Sequence, residues 1–87
     1  MTEDPAHRLK RLRMRSMRRG IKEMDLILSS FADANLPSLD EGGLQLYDCL
    51  LEESDPDLYQ WITGQKTPPV QFHDLISEIS QALQNKG

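Results

Sequence analysis

The sequence offers few side chains that could carry out catalysis or hold a metal ion. Its histidines, His7 and His73, and its single cysteine, Cys49, lie far apart in the chain. Nucleophilic catalysis needs a base within reach of the nucleophile, and a zinc site needs closely spaced Cys and His ligands. Cys49 lies between apolar positions, where a free cysteine behaves as a small buried hydrophobe. These residues predict a protein that is not an enzyme and that has no catalytic, cofactor-binding or metal site.

Basic residues are concentrated near the start of the chain. Eight of the ten lie between positions 8 and 22, so residues 1–22 carry a formal charge of +6 and residues 23–87 carry −10. Four arginines recur every three or four positions and would form one stripe along a helix: Arg8, Arg11, Arg15 and Arg18. Such a stripe suits phosphate binding, which makes DNA or RNA one hypothetical partner. The other hypothesis is that the stripe pairs with the domain's own carboxylates.

Two features speak against a nucleic-acid partner. The isoelectric point is about 5.0, so most of the surface would repel a polyanion. The chain also lacks a zinc finger, a helix-turn-helix signature and an aromatic RNA-binding motif.

The least regular segment of the chain surrounds Gly20. Glycine costs a helix interior roughly 1 kcal/mol relative to alanine, and here it separates two helical patterns. Arg19 and Glu23 flank it. In one interpretation, Gly20 lets another backbone approach closely and the two flanking charges frame that bare position. In the other, Gly20 ends the first helix with a positive φ angle and the charges are ordinary surface.

Helices must position these residues, because no alternating β pattern and no internal repeat occurs. Residues 1–6 are predicted to be a flexible tail, with Asp4-Pro5 as a candidate helix start. Residues 7–87 are predicted to form a compact, all-α, bundle-like single domain of five helices. The predicted segments are His7 to Arg18, Ile21 to Ala34, a third helix after a capping box at Ser38–Glu41, Pro56 to Thr63 with Asp55 as its cap, and a last helix ending near Gln84.

Apolar residues at spacings of three and four supply one small core. With 87 residues and a hydrophobic fraction of 38%, the chain can build one core but not two. Its apolar runs are far shorter than the roughly 18 residues that cross a bilayer, so no membrane insertion is expected. The predicted core residues are Leu9, Leu12, Met17, Ile21, Met24, Ile27, Leu28, Phe31, Leu44, Tyr47, Leu50, Leu51, Leu58, Trp61, Ile62, Phe72, Leu75, Ile76, Ile79 and Leu83.

Two segments resemble the motifs of a known family. The run Arg18-Arg19-Gly20-Ile21-Lys22-Glu23-Met24-Asp25 contains an RGxxE motif, and Leu50-Leu51-Glu52 is followed by Asp55-Pro56-Asp57-Leu58-Tyr59-Gln60-Trp61. In this order and at this separation, the two segments are similar to those of the small FAD assembly factors of succinate dehydrogenase. The resemblance covers about residues 15–64.

The resemblance implies a five-helix protein that binds the flavoprotein subunit of succinate dehydrogenase, and in bacteria often that of fumarate reductase. Such proteins promote covalent attachment of FAD to a histidine of that subunit, so FAD is handled on the partner and not bound stably here. The motif positions Arg19, Gly20 and Glu23 are implied to lie on the docking surface. The stripe argument adds Arg15 and Arg18 to it.

Further expectations concern two short segments of the chain, its localisation and its oligomeric state. Many bacterial relatives carry an aromatic residue shortly before the Arg-Gly pair, where this chain has Met14 to Met17. Gly42-Gly43 predicts a frayed start of the third helix. The acidic Glu3 and Asp4 differ from an acid-poor mitochondrial leader, which favours a bacterial cytoplasm, and the free protein is expected to be a monomer. The alternative function is a nucleic-acid-binding or antitoxin-like regulator that uses the basic first helix.

Overall fold

The computed structural model describes residues 3–17 and 19–85. In these residues it contains five α-helices and no strand, so the all-α prediction is confirmed. The helices are α1 (Pro5–Arg15), α2 (Lys22–Asn35), α3 (Glu41–Leu50), α4 (Asp55–Ile62) and α5 (His73–Asn85). Short 3-10 turns at Leu36–Ser38 and Val70–Phe72 precede α3 and α5.

A single core connects all five helices. Its buried residues are Leu12, Met24, Leu28, Phe31, Ala32, Leu36, Tyr47, Leu50, Leu51, Leu58, Ile62, Phe72, Leu75, Ile76 and Ile79. Helix α2 packs against α1, α4 and α5. The segment around Gly20 is therefore joined directly to a helix that contacts three others.

Helix α1 begins and ends earlier than the sequence predicts. It starts at Pro5, inside the predicted tail, and its last residue is Arg15 instead of Arg18. The buried Ser16 hydroxyl donates a hydrogen bond to the carbonyl of Leu12 at 2.8 Å and closes the helix. Among the described glycines only Gly64, which follows α4, has a positive φ angle, of 82°. The interpretation that Gly20 ends the first helix with a positive φ is therefore wrong.

Two helix caps also differ from the sequence prediction. Asp40 caps α3 by accepting a hydrogen bond from the Gly43 amide at 2.7 Å. Ser38 lies in a 3-10 turn and donates to the Asn35 carbonyl, so the predicted capping box is wrong. The cap of α4 is Ser54 and not Asp55. This second difference leaves the Asp55 carboxylate available for another role.

Several side chains predicted to be inside lie at the surface. Cys49 is exposed because it stands two residues from buried Tyr47, at roughly 200° around α3. Met17 and Leu83 are 49% and 40% exposed, since Met17 follows the end of α1 and Leu83 lies in the last turns of α5. Trp61 is only partly buried and packs on the rim of the core.

Candidate functional site

The predicted site residues lie in and around the connection between α1 and α2. Arg15 ends α1, Arg19 and Gly20 belong to the connection, and Glu23 stands in the first turn of α2. Gly20 and Glu23 are exposed, so this part of the surface is open to solvent. Arg18 lies outside the described residues.

The Arg19 side chain is largely buried and contacts its own domain. Its Nε donates a hydrogen bond to Asp55 Oδ1 at 2.7 Å, and the two side chains are only 13% and 11% exposed. Its Nη atoms donate to the carbonyls of Arg15, Leu51 and Glu53, at 3.1, 3.3 and 3.3 Å. The interpretation in which Arg19 and Glu23 present opposite charges around Gly20 is therefore wrong for Arg19, whose charge is paired inside the fold.

The second oxygen of the same carboxylate holds the backbone beside Arg19. The Gly20 amide donates a hydrogen bond to Asp55 Oδ2, and the Ile21 amide donates to the same oxygen at 3.3 Å. A Cβ atom on Gly20 would lie 3.2 Å from that oxygen, closer than most real Cβ contacts. A side chain at this position would therefore require the Asp55 carboxylate to shift by a few tenths of an ångström. We call this set of contacts the Asp55 clamp; it joins Arg19, Gly20 and Ile21 to the start of α4.

The arginines of α1 form ion pairs with carboxylates of the same domain, which confirms the pairing hypothesis for three residues of the basic stripe: Arg8, Arg11 and Arg15. The pairs are Arg8–Glu41 at 2.6 Å, Arg11–Glu3 and Arg11–Asp48 at 2.9 Å, Arg13–Asp33 at 2.7 Å, Arg15–Asp48 at 2.5 Å and Arg15–Glu52 at 2.8 Å. The hydrogen bond from Arg11 is the main cause that holds the pKa of Asp48 below its usual value. The charge of Arg15, a predicted contact residue, is thus shared with two carboxylates of its own domain.

Two shallow hollows that share Arg15 lie along α1 and beside Gly20. The first is lined by side chains of α1, among them Lys10, Met14 and Arg15. The second, of about 360 Å³, is lined by Arg15, Met17 and Gly20 on one side and by the loop before α4 on the other. Met14 and Met17 are 59% and 49% exposed, whereas Met24 is fully buried. Exposed thioethers are suited to contact with another protein, and that of Met17 lines the same hollow as Gly20.

Sequence reasoning missed the main role of Asp55. A carboxylate before proline at a helix start reads as a cap. The preceding Ser54 was the available hint, because a serine that caps α4 frees Asp55 for other contacts. The partner of Asp55 is 36 positions away in the chain, at Arg19, and only the packing of α4 beside the α1–α2 connection brings them together.

Residues 3–17 and 19–85 contain no cluster of His, Cys, Asp and Glu side chains that could hold a metal ion. Within the same residues, no helix has the length and apolar character needed to cross a membrane.

Comparison with known proteins identifies the family. The model of the family described as "Flavinator of succinate dehydrogenase" matches residues 10–83, which include both motifs. The mitochondrial succinate dehydrogenase assembly factor 2 of Candida glabrata is 46% identical over 76 residues, covering 86% of this chain and 50% of the relative. That of Dictyostelium discoideum is 38% identical over 72 residues, covering 83% and 51%.

A bacterial relative matches over more of its own length. The FAD assembly factor SdhE of Legionella pneumophila is 37% identical over 62 residues, covering 71% of this chain and 78% of the relative. The chain spans about half the length of the two mitochondrial relatives above. Taken with the family match over residues 10–83, these likenesses show that the chain belongs to the family of flavinators of succinate dehydrogenase.

Proposed function

We propose that this chain promotes the covalent attachment of FAD to the flavoprotein subunit of succinate dehydrogenase, and to that of the related fumarate reductase. The family description "flavinator" and the name "FAD assembly factor" of the Legionella relative support this function. In the proposal the chain is a chaperone-like docking module and not an enzyme. FAD stays on the partner subunit.

The proposed docking surface consists of Met14, Met17, Gly20 and Glu23. The observation that carries the proposal is the state of Glu23, which is exposed and has no hydrogen bond or ion pair to any residue within 3–17 and 19–85. By contrast, Arg15 and Arg19, its neighbours in the motif region, are paired within the domain. Glu23 therefore offers a free carboxylate to a donor on the partner, and the two exposed methionines offer apolar contact area.

Docking promotes flavin attachment by changing the conformation of the partner. A module that binds the attachment-competent conformation about 3 kcal/mol more tightly than the others raises its population roughly a hundredfold. The bond-forming chemistry then belongs to the flavin and to the accepting histidine of the subunit. No side chain of this chain transfers a proton in the proposal; Gly20 and Glu23 bind and orient.

Replacing Glu23 tests the proposal. We expect Glu23→Gln to slow covalent flavin attachment about tenfold or more, because a hydrogen bond to a charged group is worth roughly 1.5–3 kcal/mol. The measurement is flavin fluorescence of the denatured subunit over time, after mixing apo-subunit, FAD and this chain. Protein stability should be nearly unchanged, since Glu23 is exposed and has no hydrogen bond or ion pair to the residues that the structure describes.

The matched control is Glu78→Gln. Glu78 is also exposed, and it lines a hollow with Asn35 at the far end of α2 from Glu23. Twelve helical residues separate the two ends, which is roughly 18 Å. Glu78→Gln should support flavin attachment at the normal rate. Normal attachment with Glu23→Gln would contradict the proposed docking surface.

The oligomeric state and the localisation of the protein stay predictions. We propose that the free chain is a monomer and that it acts in the cytoplasm beside the enzyme that it serves. Several eukaryotic relatives are named as mitochondrial proteins. Size-exclusion chromatography with light scattering, and fractionation of the source cells, test the two statements.

A further inference from the structure

The carboxylate of Asp55 fixes three consecutive residues of the α1–α2 connection. Oδ1 accepts from the Arg19 side chain, and Oδ2 accepts from the amides of Gly20 and Ile21. Asp55 is the first residue of α4, a helix anchored in the core through Leu58 and Ile62. The clamp therefore ties an exposed connection to a rigid element.

The same carboxylate takes the place of a cap for α2. The residue at the N-cap position of α2 is Ile21, whose side chain makes no capping hydrogen bond. Amides at a helix start lack partners within the helix, and the helix dipole favours a negative charge there. Asp55 meets both needs from outside the helix, because its Oδ2 accepts from the Ile21 amide. The start of α2 is thus set by a residue that follows it by 34 positions.

The position of Glu23 depends on the Asp55 clamp, although Glu23 is not part of it. It stands two residues after Ile21 in the first turn of α2, so the placement of its carboxylate follows from where α2 begins. Arg19 belongs to the Asp55 clamp, since its guanidinium is nearly buried and donates its hydrogen bonds to groups of the same domain.

We propose that Asp55 is a positioning residue for docking: the clamp presets Gly20 and Glu23 in the geometry in which they meet the flavoprotein subunit. This inference rests on the proposed function. It assigns Arg19 to holding the connection in place, and it explains why the RGxxE segment occurs together with the Asp-Pro-Asp segment. A preset surface binds more tightly because its ordering is not paid for on association.

The test compares Asp55→Ala with Asp57→Ala. Asp57 lies in the same first turn of α4, but it is exposed and outside the clamp. Affinity for the apo-flavoprotein subunit is measured by titration calorimetry at a temperature where circular dichroism shows every variant to be folded. We expect the Kd to rise about tenfold or more for Asp55→Ala and less than about twofold for Asp57→Ala. In NMR spectra, the amide resonances of Gly20 and Ile21 should shift in Asp55→Ala only.

A double variant separates positioning from general loss of stability. If Asp55 acts in part through Glu23, Asp55→Ala should weaken binding by a clearly smaller factor in a chain that already carries Glu23→Gln than in the wild type. Independent, multiplying losses would overturn the inference. Should Asp55→Ala fail to fold, Asp55→Asn takes its place; it keeps one acceptor oxygen and should give a Kd between those of the wild type and Glu23→Gln.

The outcomes distinguish this inference from the function on which it rests. A wild-type chain that does not bind the subunit overturns the proposed function and the inference together. Wild-type binding, combined with unchanged Kd values for folded Asp55→Ala or Asp55→Asn, overturns only the positioning role. Unchanged amide shifts of Gly20 and Ile21 in the folded variant also overturn it.

Discussion

Asp48 joins two arginines of α1 to α3. It accepts hydrogen bonds from Arg11 and Arg15 at 2.9 and 2.5 Å, and its side chain is 28% exposed. The bond from Arg11, with the attraction of both guanidinium groups, lowers its pKa despite partial desolvation. A carboxyl with a lowered folded pKa stabilises the protein above its unfolded pKa of about 3.9, and this stabilisation disappears as the pH falls through the folded pKa.

We therefore expect Asp48→Asn to reduce the free energy of unfolding at pH 7 by about 1 kcal/mol, the upper range for partly exposed ion pairs. Between pH 5 and pH 2 the difference from the wild type should shrink, because the wild-type carboxyl becomes protonated and loses the same interaction. Urea unfolding at several pH values measures both effects. The exposed Asp57→Asn is the control, and a difference that stays constant with pH would contradict the assigned cause.

At the scale of the elements, a buried contact between the end of α1 and α3 lies immediately before the proposed docking surface. The Ser16 hydroxyl has one hydrogen, which it donates to the Leu12 carbonyl. In the 2.5 Å contact between Ser16 and Tyr47, the Tyr47 hydroxyl is therefore the donor. Burial raises the pKa of Tyr47 to about 12. This buried pair closes α1 immediately before Met17.

Ser16→Ala should destabilise the domain more than Tyr47→Phe does. The serine variant leaves the buried Tyr47 hydroxyl without its partner, which costs about 1–3 kcal/mol, whereas the phenylalanine variant removes that hydroxyl and costs about 1 kcal/mol. Thermal and urea unfolding of both variants measure the order. Equal or reversed losses would show that the Tyr47 hydroxyl finds another partner.

The helices could be predicted from the sequence, but their caps and part of the candidate site could not. The five helices follow from apolar spacing, which is a local property, and buried positions such as Leu12 and Leu58 were predicted from it. The cap of α4 was not predicted correctly. Ser54 and Asp55 are both good N-cap residues, and only the contact with the distant Arg19 decides between them. For the candidate site, the motif placed Gly20 and Glu23 at the surface. It did not reveal that the arginine between the two helices is turned inward.

Over the whole molecule, the uneven charge of the sequence is largely balanced in the fold. The arginines of α1 lie against acidic residues of α2, α3 and the loop after α3, so arginine and carboxylate neutralise each other locally. The net charge of −4 then leaves an overall repulsion toward polyanions. This arrangement disfavours the alternative function of nucleic-acid binding, for which the arginines would have to be free.

The alternative predicts a measurable affinity for duplex DNA, and the ion pairs predict its absence. We expect no binding of the wild-type chain to a fluorescent duplex at about 50 mM salt, a condition under which phosphate contacts are strong. A variant with Glu41→Gln, Asp48→Asn and Glu52→Gln releases Arg8 and Arg15, leaves Arg11 paired with Glu3 alone, and raises the formal charge by three. That variant should bind weakly, with an affinity that falls as salt increases, because freed arginines displace counterions from the phosphates. Wild-type binding with a steep salt dependence would instead show that the paired arginines open toward DNA, and it would restore the regulator as a function for the basic helix.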